Sequence, residues 1–407
     1  MTFEALGLAP TLQTRLTELG YHTPTEIQTL AIPVVLAGQD LLASAQTGTG
    51  KTASYALPVI QRLLSSPAVR ANQAKALILV PTRELAVQVA DSLKSYATHS
   101  RLRVQAVFGG VKINPQMQAL RSGCDILVAT PGRLLDLFRS NAIGFKQLQI
   151  LVLDEADRML DLGFLPEVKS VLRLLPGKRQ SLMLSATFSD DIRQLASSLL
   201  SAPQEVSVHP ANSTATEVEQ WLIPVDKARK NALLIAQIRQ HNWQQVLVFC
   251  RTKQGADRLV KSLTAQQISA AAIHGDKSQG ARLRALNDFH QGKVQILAAT
   301  DLAARGLDIK QLPVVVNLDL PHITQDYVHR IGRTGRAGVA GQAVSLVCAE
   351  EFGELSAIER LIGQLLPRQA VPGFEPKQPL PESKLDLRPL KPKKPKKPKK
   401  PKVPKQA

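Results

Sequence analysis

Short apolar runs alternate with stretches of helical spacing along most of this chain. In the first half the runs are DLLASA (40–45), ALILV (76–80), DILVAT (125–130), ILVLD (150–154) and SLMLSAT (181–187). Runs that are apolar throughout, with helix-length segments between them, predict parallel strands buried on both faces. The segment LAVQVADSLKSYA follows ALILV closely and has the spacing of the helix that such a strand needs next. The polar stretch SVHPANSTATE (207–217) has no apolar period and reads as a linker. Beyond it the rhythm resumes with WLIPV (221–225), VLVFC (246–250), ILAAT (296–300), VVVNL (314–318) and AVSLVC (343–348). The expected fold is α/β, with an N-terminal domain over 1–206, a linker over 207–217 and a second parallel-sheet domain over 218–370.

From Val371 the composition changes. Residues 391–405 read KPKKPKKPKKPKVPK. Proline near every third position forbids a helix and the lysines repel one another, so this is an extended arm reaching roughly 50 Å. Residues 371–407 are therefore expected to form a disordered Lys/Pro-rich tail. The tail also carries much of the charge: the 407 residues sum to +18, of which residues 383–407 supply +10. A basic tail on a mildly basic body points to a polyanion partner; the plainer reading is a solubilising arm. The three cysteines, Cys124, Cys250 and Cys348, lie far apart in or beside apolar runs, which suits reduced core residues better than a metal or disulfide role. No apolar run approaches the ~18 residues that span a bilayer. The opening MTFEALGLAP lacks the form of a secretory signal. A cytoplasmic protein is expected.

Candidate chemistry begins at AQTGTGKT (45–52), directly after DLLASA and before a helical stretch. It reads as a phosphate loop, in which Gly48, Thr49 and Gly50 turn backbone N–H groups toward a polyphosphate. Lys51 would reach the β- and γ-phosphates, and the Thr52 hydroxyl would ligate magnesium. The general pattern opens on glycine, where this chain has Ala45. Further on, DEADRML (154–160) ends the run ILVLD with three carboxylates, Asp154, Glu155 and Asp157. Carboxylates at the end of a buried strand need a cation. Beside a phosphate loop that cation is Mg²⁺ on ATP, with Asp154 on the metal and Glu155 orienting or deprotonating the attacking water. HRIGRTGR (329–336) holds three arginines. Helical spacing would aim Arg333 and Arg336 to one side, as arginine fingers offered by the second domain to ATP on the first.

Taken together, these blocks resemble the DEAD-box ATP-dependent RNA helicases, a group of superfamily 2 ATPases, and among them the bacterial RhlE-like branch. The blocks run in family order: YHTPTEIQ (21–28), AQTGTGKT, PTRELA (81–86), GG (109–110), TPGR (130–133), DEAD, SAT (185–187), VFCRTK (248–253), ATDLAARGLDI (299–309) and HRIGRTGR. The resemblance covers nearly all of residues 1–375, and the family accepts alanine where Ala45 stands. It implies two tandem RecA-like domains joined by a short linker. It also implies RNA-stimulated ATP hydrolysis coupled to domain closure, and local, sequence-independent separation of RNA duplexes or remodelling of RNA–protein complexes. ATP and Mg²⁺ are the implied cofactors. RNA is the implied partner, with ribosome assembly or RNA decay as settings and no membrane.

The resemblance also assigns roles. Gln28 would read the adenine edge and Tyr21 would stack on the base. Phe3 fits either an upstream aromatic of the same motif or a hydrophobic anchor. Asp308 would contact the ribose, and Ser185 and Thr187 would relay between Asp157 and His329. RNA contacts would come from Thr82, Arg83, Gly110, Thr130, Gly132 and Arg133 on the first domain and from Arg282 and Thr300 on the second. Hydroxyls, guanidinium groups and glycine N–H groups grip phosphate and sugar and carry no base identity. Aromatic residues make up 4% of the chain and none lies in the RNA blocks, so a base-stacking platform is not expected.

Overall fold

The computed structural model describes residues 2–45, 49–186, 188–208, 218–304, 312–334 and 341–385. Gly48, Thr187, Asp308 and Arg336, most of the expected linker, and the lysine-rich residues after 385 lie outside the described residues.

Within them the strands form two parallel sheets. The first contains β1 (Leu41–Ser44), β2 (Ala74–Leu79), β3 (Val104–Val107), β4 (Cys124–Ala129), β5 (Ile150–Leu153), β6 (Gln180–Ser185) and β7 (Gln204–Ser207). Their order is β3-β4-β2-β5-β6-β1-β7. The second contains β8 (Val218–Pro224), β9 (Val246–Phe249), β10 (Ala270–Ile273), β11 (Ile296–Ala299), β12 (Val314–Asn317) and β13 (Gly341–Val347), in the order β10-β11-β9-β12-β13-β8.

The apolar runs are explained by what covers each face. Ile78 packs into the core on one side of the first sheet, while Leu77 and Leu79 pack into the core on the other. Val246 and Val248 of β9 divide from Leu247 and Phe249 in the same way. With side chains alternating across a sheet covered twice, no position in these strands can be polar without a partner.

β3, β7 and β10 escape the apolar-run reading. All three are edge strands. Their sequences, VQAV, QEVS and AAAI, are mixed or small because one face or edge meets solvent. β7 also takes Ser207, expected in the linker, into the sheet.

The tail begins later than the composition suggests. Val371 and Phe374 pack against the second core, Leu380 is buried, and the Arg229 guanidinium lies 4.8 Å from the Phe374 ring centre. The Lys377 N–H donates to Asp226 at 3.0 Å. The cause is the open edge of β8. Leu222 donates its N–H to Pro367 O and accepts from Gln369 N–H, so the chain after the last helix is already bound to that edge. Residues 371–385 are thus part of the second domain rather than a free arm.

No described helix is long and apolar enough to cross a membrane. All three cysteines are buried and unpaired.

Candidate nucleotide site between the domains

In a parallel sheet, ligands gather where the strands end. β1, β6 and β5 lie side by side, so the phosphate loop, Ser185–Ala186 and Asp154–Glu155 emerge together. β2, β4 and β3 form the other half of the sheet and deliver Thr82, Thr130 and Gly110. The two halves meet at β2 and β5, where the Asp154 N–H donates to Leu79 O at 3.0 Å.

After β1 the chain enters the helix Lys51–Leu64 through Gly50, whose φ is +90°. A Cβ at Gly50 would lie 2.4 Å from Gln28 Nε2. That close approach lets Gln28 Nε2 donate to Gly50 O at 3.2 Å, while its Oε1 accepts the Thr25 N–H at 3.0 Å. The amide expected to read adenine is therefore anchored to the phosphate loop. It keeps one N–H and one lone pair for a base. Tyr21 is exposed and tilted against Tyr96, with ring centres 6.4 Å apart. Phe3 is buried in the first core, which is the anchor role.

Lys51 is buried, and among the described residues its Nζ has no hydrogen-bond partner. A buried ammonium held this way fits an anionic ligand such as a polyphosphate. Opposite it, Asp154 accepts from the Tyr55 hydroxyl at 2.8 Å through Oδ2 and from the Glu155 N–H at 2.9 Å through Oδ1. Burial raises the Asp154 pKa to about 6, against the pull of Lys51. A carboxylate oxygen and the Thr52 hydroxyl are hard donors, the set that suits Mg²⁺.

Glu155 adopts φ +52° and ψ +53°, a left-handed conformation uncommon for a residue with a Cβ, at the start of the helix Ala156–Asp161. Its Oε2 lies 2.9 Å from Arg158 Nη1. Burial alone would raise its pKa, but Arg158, Lys51 and Arg333 together hold it below the usual carboxylate range. Asp157 accepts the Ala186 N–H at 3.0 Å, which ties DEAD to the strand end of SAT. Ser185 is buried beneath that contact.

The second domain closes the cleft. His329 and Arg333 line the same cavity as Lys51, Glu155, Asp157 and Arg158. For Arg333 the expected helical presentation is not what is found. The helix Thr324–Ile331 ends before Arg333, which follows the Gly332 cap. It is the turn after the helix that delivers Arg333. Arg330 has another place: it is buried, pairs with Asp301 at 2.6 Å and 2.7 Å, and donates to Asn317 Oδ1 at 2.9 Å. It holds the ends of β11 and β12 together.

The expected RNA residues form a second row. Thr82 caps the helix Arg83–Tyr96, accepting from Leu85 N–H at 3.3 Å. Gly110 has φ +77°, and a Cβ there would overlap the Arg83 guanidinium. Arg133 donates to Val111 O at 2.9 Å, so it braces the glycine turn. Thr130 precedes the helix Pro131–Arg139, and nothing lies within 4 Å of a Cβ built on Gly132. Thr300 O accepts the N–H groups of Ala303 and Ala304. Arg282 does not stand free for a phosphate: its Nη2 lies 2.8 Å from Glu84 Oε1 in the first domain.

Sequence reasoning missed Tyr55, Arg158, Glu84 and Gln279. Tyr55 lies three residues after Thr52, and Arg158 three after Glu155, a spacing that places each pair on one helix face.

The DEAD/DEAH box helicase family matches residues 25–195, and the helicase conserved C-terminal domain matches residues 229–338. The ATP-dependent RNA helicase RhlB of Pseudomonas aeruginosa is 40% identical over 385 residues, covering 93% of this chain and 97% of that protein. DEAD-box ATP-dependent RNA helicase 14 of Arabidopsis thaliana is 42% identical over 370 residues, covering 89% of this chain. The chain spans 59% of the length of that plant relative. Among solved structures, S. cerevisiae Dbp5 bound to RNA and ADP BeF3 superposes with a TM-score of 0.81 at 31% identity, over 91% of this chain and 95% of that one.

Proposed function

We propose, from the premise that this chain belongs to the DEAD-box ATP-dependent RNA helicases, that it hydrolyses ATP when RNA is bound and uses domain closure to separate short duplexes or remodel RNA–protein complexes. The observation that carries this reading is the shared cavity, in which Arg333 of the second domain faces Lys51 and Glu155 of the first. The bound nucleotide in the Dbp5 neighbour and the RNA named with it support the same reading.

Each residue then has a task. Tyr21 stacks on the base and Gln28 reads its edge; Asp308 holds the ribose. Gly48, Thr49 and Gly50 present N–H groups to the phosphates, and Lys51 adds its charge. Thr52 and Asp154 hold magnesium. When bound with ATP, magnesium neutralises charge on the phosphate oxygens. Glu155 orients the attacking water and accepts its proton. Arg333 and Arg336 stabilise the charge that builds on the terminal phosphoryl group, a contribution of about 10³–10⁵ in rate for such fingers. Asp157, Ser185, Thr187 and His329 transmit closure between the domains.

Thr82, Arg83, Gly110, Thr130, Gly132, Arg133 and Thr300 grip the RNA backbone, with Arg282 acting across the cleft. Such contacts give little sequence preference. ATP and RNA each gain contacts only when the domains meet, so each strengthens the binding of the other. The lysine-rich tail holds RNA near this surface and raises its effective concentration. Precursor ribosomal RNA and RNA under decay are suitable substrates.

The test is strand displacement on a short RNA duplex, run beside ATP hydrolysis with RNA or DNA as activator. RNA-stimulated hydrolysis with ATP-dependent displacement is expected. Hydrolysis that ignores RNA overturns the reading.

A further inference from the structure

We infer that Tyr55 is a positioning residue that fixes the metal-holding carboxylate of Asp154 through its phenol hydroxyl. The inference rests on the proposed role of Asp154, with Thr52, in holding magnesium with the nucleotide.

Tyr55 lies on the helix Lys51–Leu64 and is wholly buried in an apolar core. A phenylalanine would fill the same space. A phenol hydroxyl placed there needs a partner, because a buried polar group without one is costly. Its partner is Asp154: the hydroxyl donates to Oδ2 at 2.8 Å. The other oxygen of Asp154, Oδ1, accepts the Glu155 N–H at 2.9 Å. With one oxygen tied to the backbone and the other to the phenol, the carboxylate plane is fixed. Each oxygen keeps a lone pair.

Asp154 only accepts, so Tyr55 donates to it. The three-residue spacing puts Thr52 and Tyr55 on one face of the helix. Thr52 comes from the phosphate loop and Asp154 from the end of β5, with β6 between β1 and β5 in the sheet. The phenol thus ties the Asp154 carboxylate to the helix that carries Thr52, and the carboxylate is set before any metal arrives. Outer partners of metal ligands commonly contribute about 10–100-fold to metal affinity.

The test is Tyr55→Phe in the full chain. Binding of fluorescent N-methylanthraniloyl-ADP is followed while Mg²⁺ is titrated, and again in EDTA. The expected result is a rise of about tenfold in half-saturating Mg²⁺, with nucleotide affinity in EDTA unchanged. A Mg²⁺ dependence equal to wild type overturns the inference. So does an equal loss of affinity with and without Mg²⁺, which would mean a packing role only. If wild type itself binds the nucleotide independently of Mg²⁺, the assignment of Thr52 and Asp154 falls and the inference falls with it. A second measurement keeps the wild-type residue. With tyrosines labelled by ¹³C at Cζ, the Tyr55 resonance is assigned by elimination from Tyr21→Phe, Tyr96→Phe and Tyr327→Phe. It should move when Mg²⁺ is added to the ADP complex; a stationary resonance overturns the inference.

Discussion

Arg282 in the second domain is paired with Glu84 in the first, Nη2 to Oε1 at 2.8 Å, and Gln279 Nε2 donates to the same oxygen at 3.1 Å. Glu84 is buried and directly follows Thr82 and Arg83, two residues expected on RNA. A carboxylate buried under the second domain has its partners only while the domains are together. The pair therefore links the RNA row to closure. Glu84→Gln and Arg282→Gln should each weaken RNA binding in the presence of a non-hydrolysable ATP analogue. The double variant should fall short of the sum by about 1–2 kcal/mol. Additive losses would mean that the two residues act independently.

Glu155→Gln keeps the volume of the side chain and removes its ability to take a proton. It should retain ATP and RNA affinity and lower kcat by at least about 10². Nucleotide binding by fluorescence and turnover by phosphate release separate the two effects. A large loss of ATP affinity with kcat preserved would contradict the assigned role.

Asp154 has a pH signature in the nucleotide-free protein. Its pKa rises from 3.8 to about 6 on burial. A carboxyl group raised on folding stabilises the folded form below its unfolded pKa, and that contribution is lost as pH rises through the folded one. Between pH 4 and pH 6 the wild type should thus lose about 2 kcal/mol relative to Asp154→Asn. Urea unfolding of both proteins across that range checks it. Parallel curves would show that Asp154 is not buried in its charged form.

A chain ending at Leu385 keeps the segment that packs on the second domain and removes the lysine-rich residues. It should need more RNA for half-maximal ATPase, yet reach the same maximal rate. Its salt dependence should also flatten, by about 0.7 in log–log slope for each phosphate that the tail no longer neutralises. An unchanged RNA requirement would refute tethering by the tail.

The central strands and the catalytic blocks were legible in the sequence because their physics is local. A strand covered on both faces must be apolar throughout, and a phosphate loop needs its glycines, lysine and hydroxyl in one short stretch. The edge strands were not legible, since VQAV, QEVS and AAAI carry no two-faced apolar demand. The start of the tail was misplaced because composition does not reveal that Val371, Phe374 and Leu380 have the edge of β8 to cover. Side-chain pairing was the least visible layer. Nothing near Arg282 announces Glu84, 198 positions away in the chain, and Arg333 reaches the cleft from a turn where helical spacing was expected.

The most direct test of the central claim, that the second domain completes the ATP site of the first, is the RNA-stimulated ATPase of Arg333→Ala at saturating ATP and RNA. Nucleotide affinity should stay near wild type while kcat falls by about 10³ or more. Hydrolysis at the wild-type rate would show that the site on the first domain works without it.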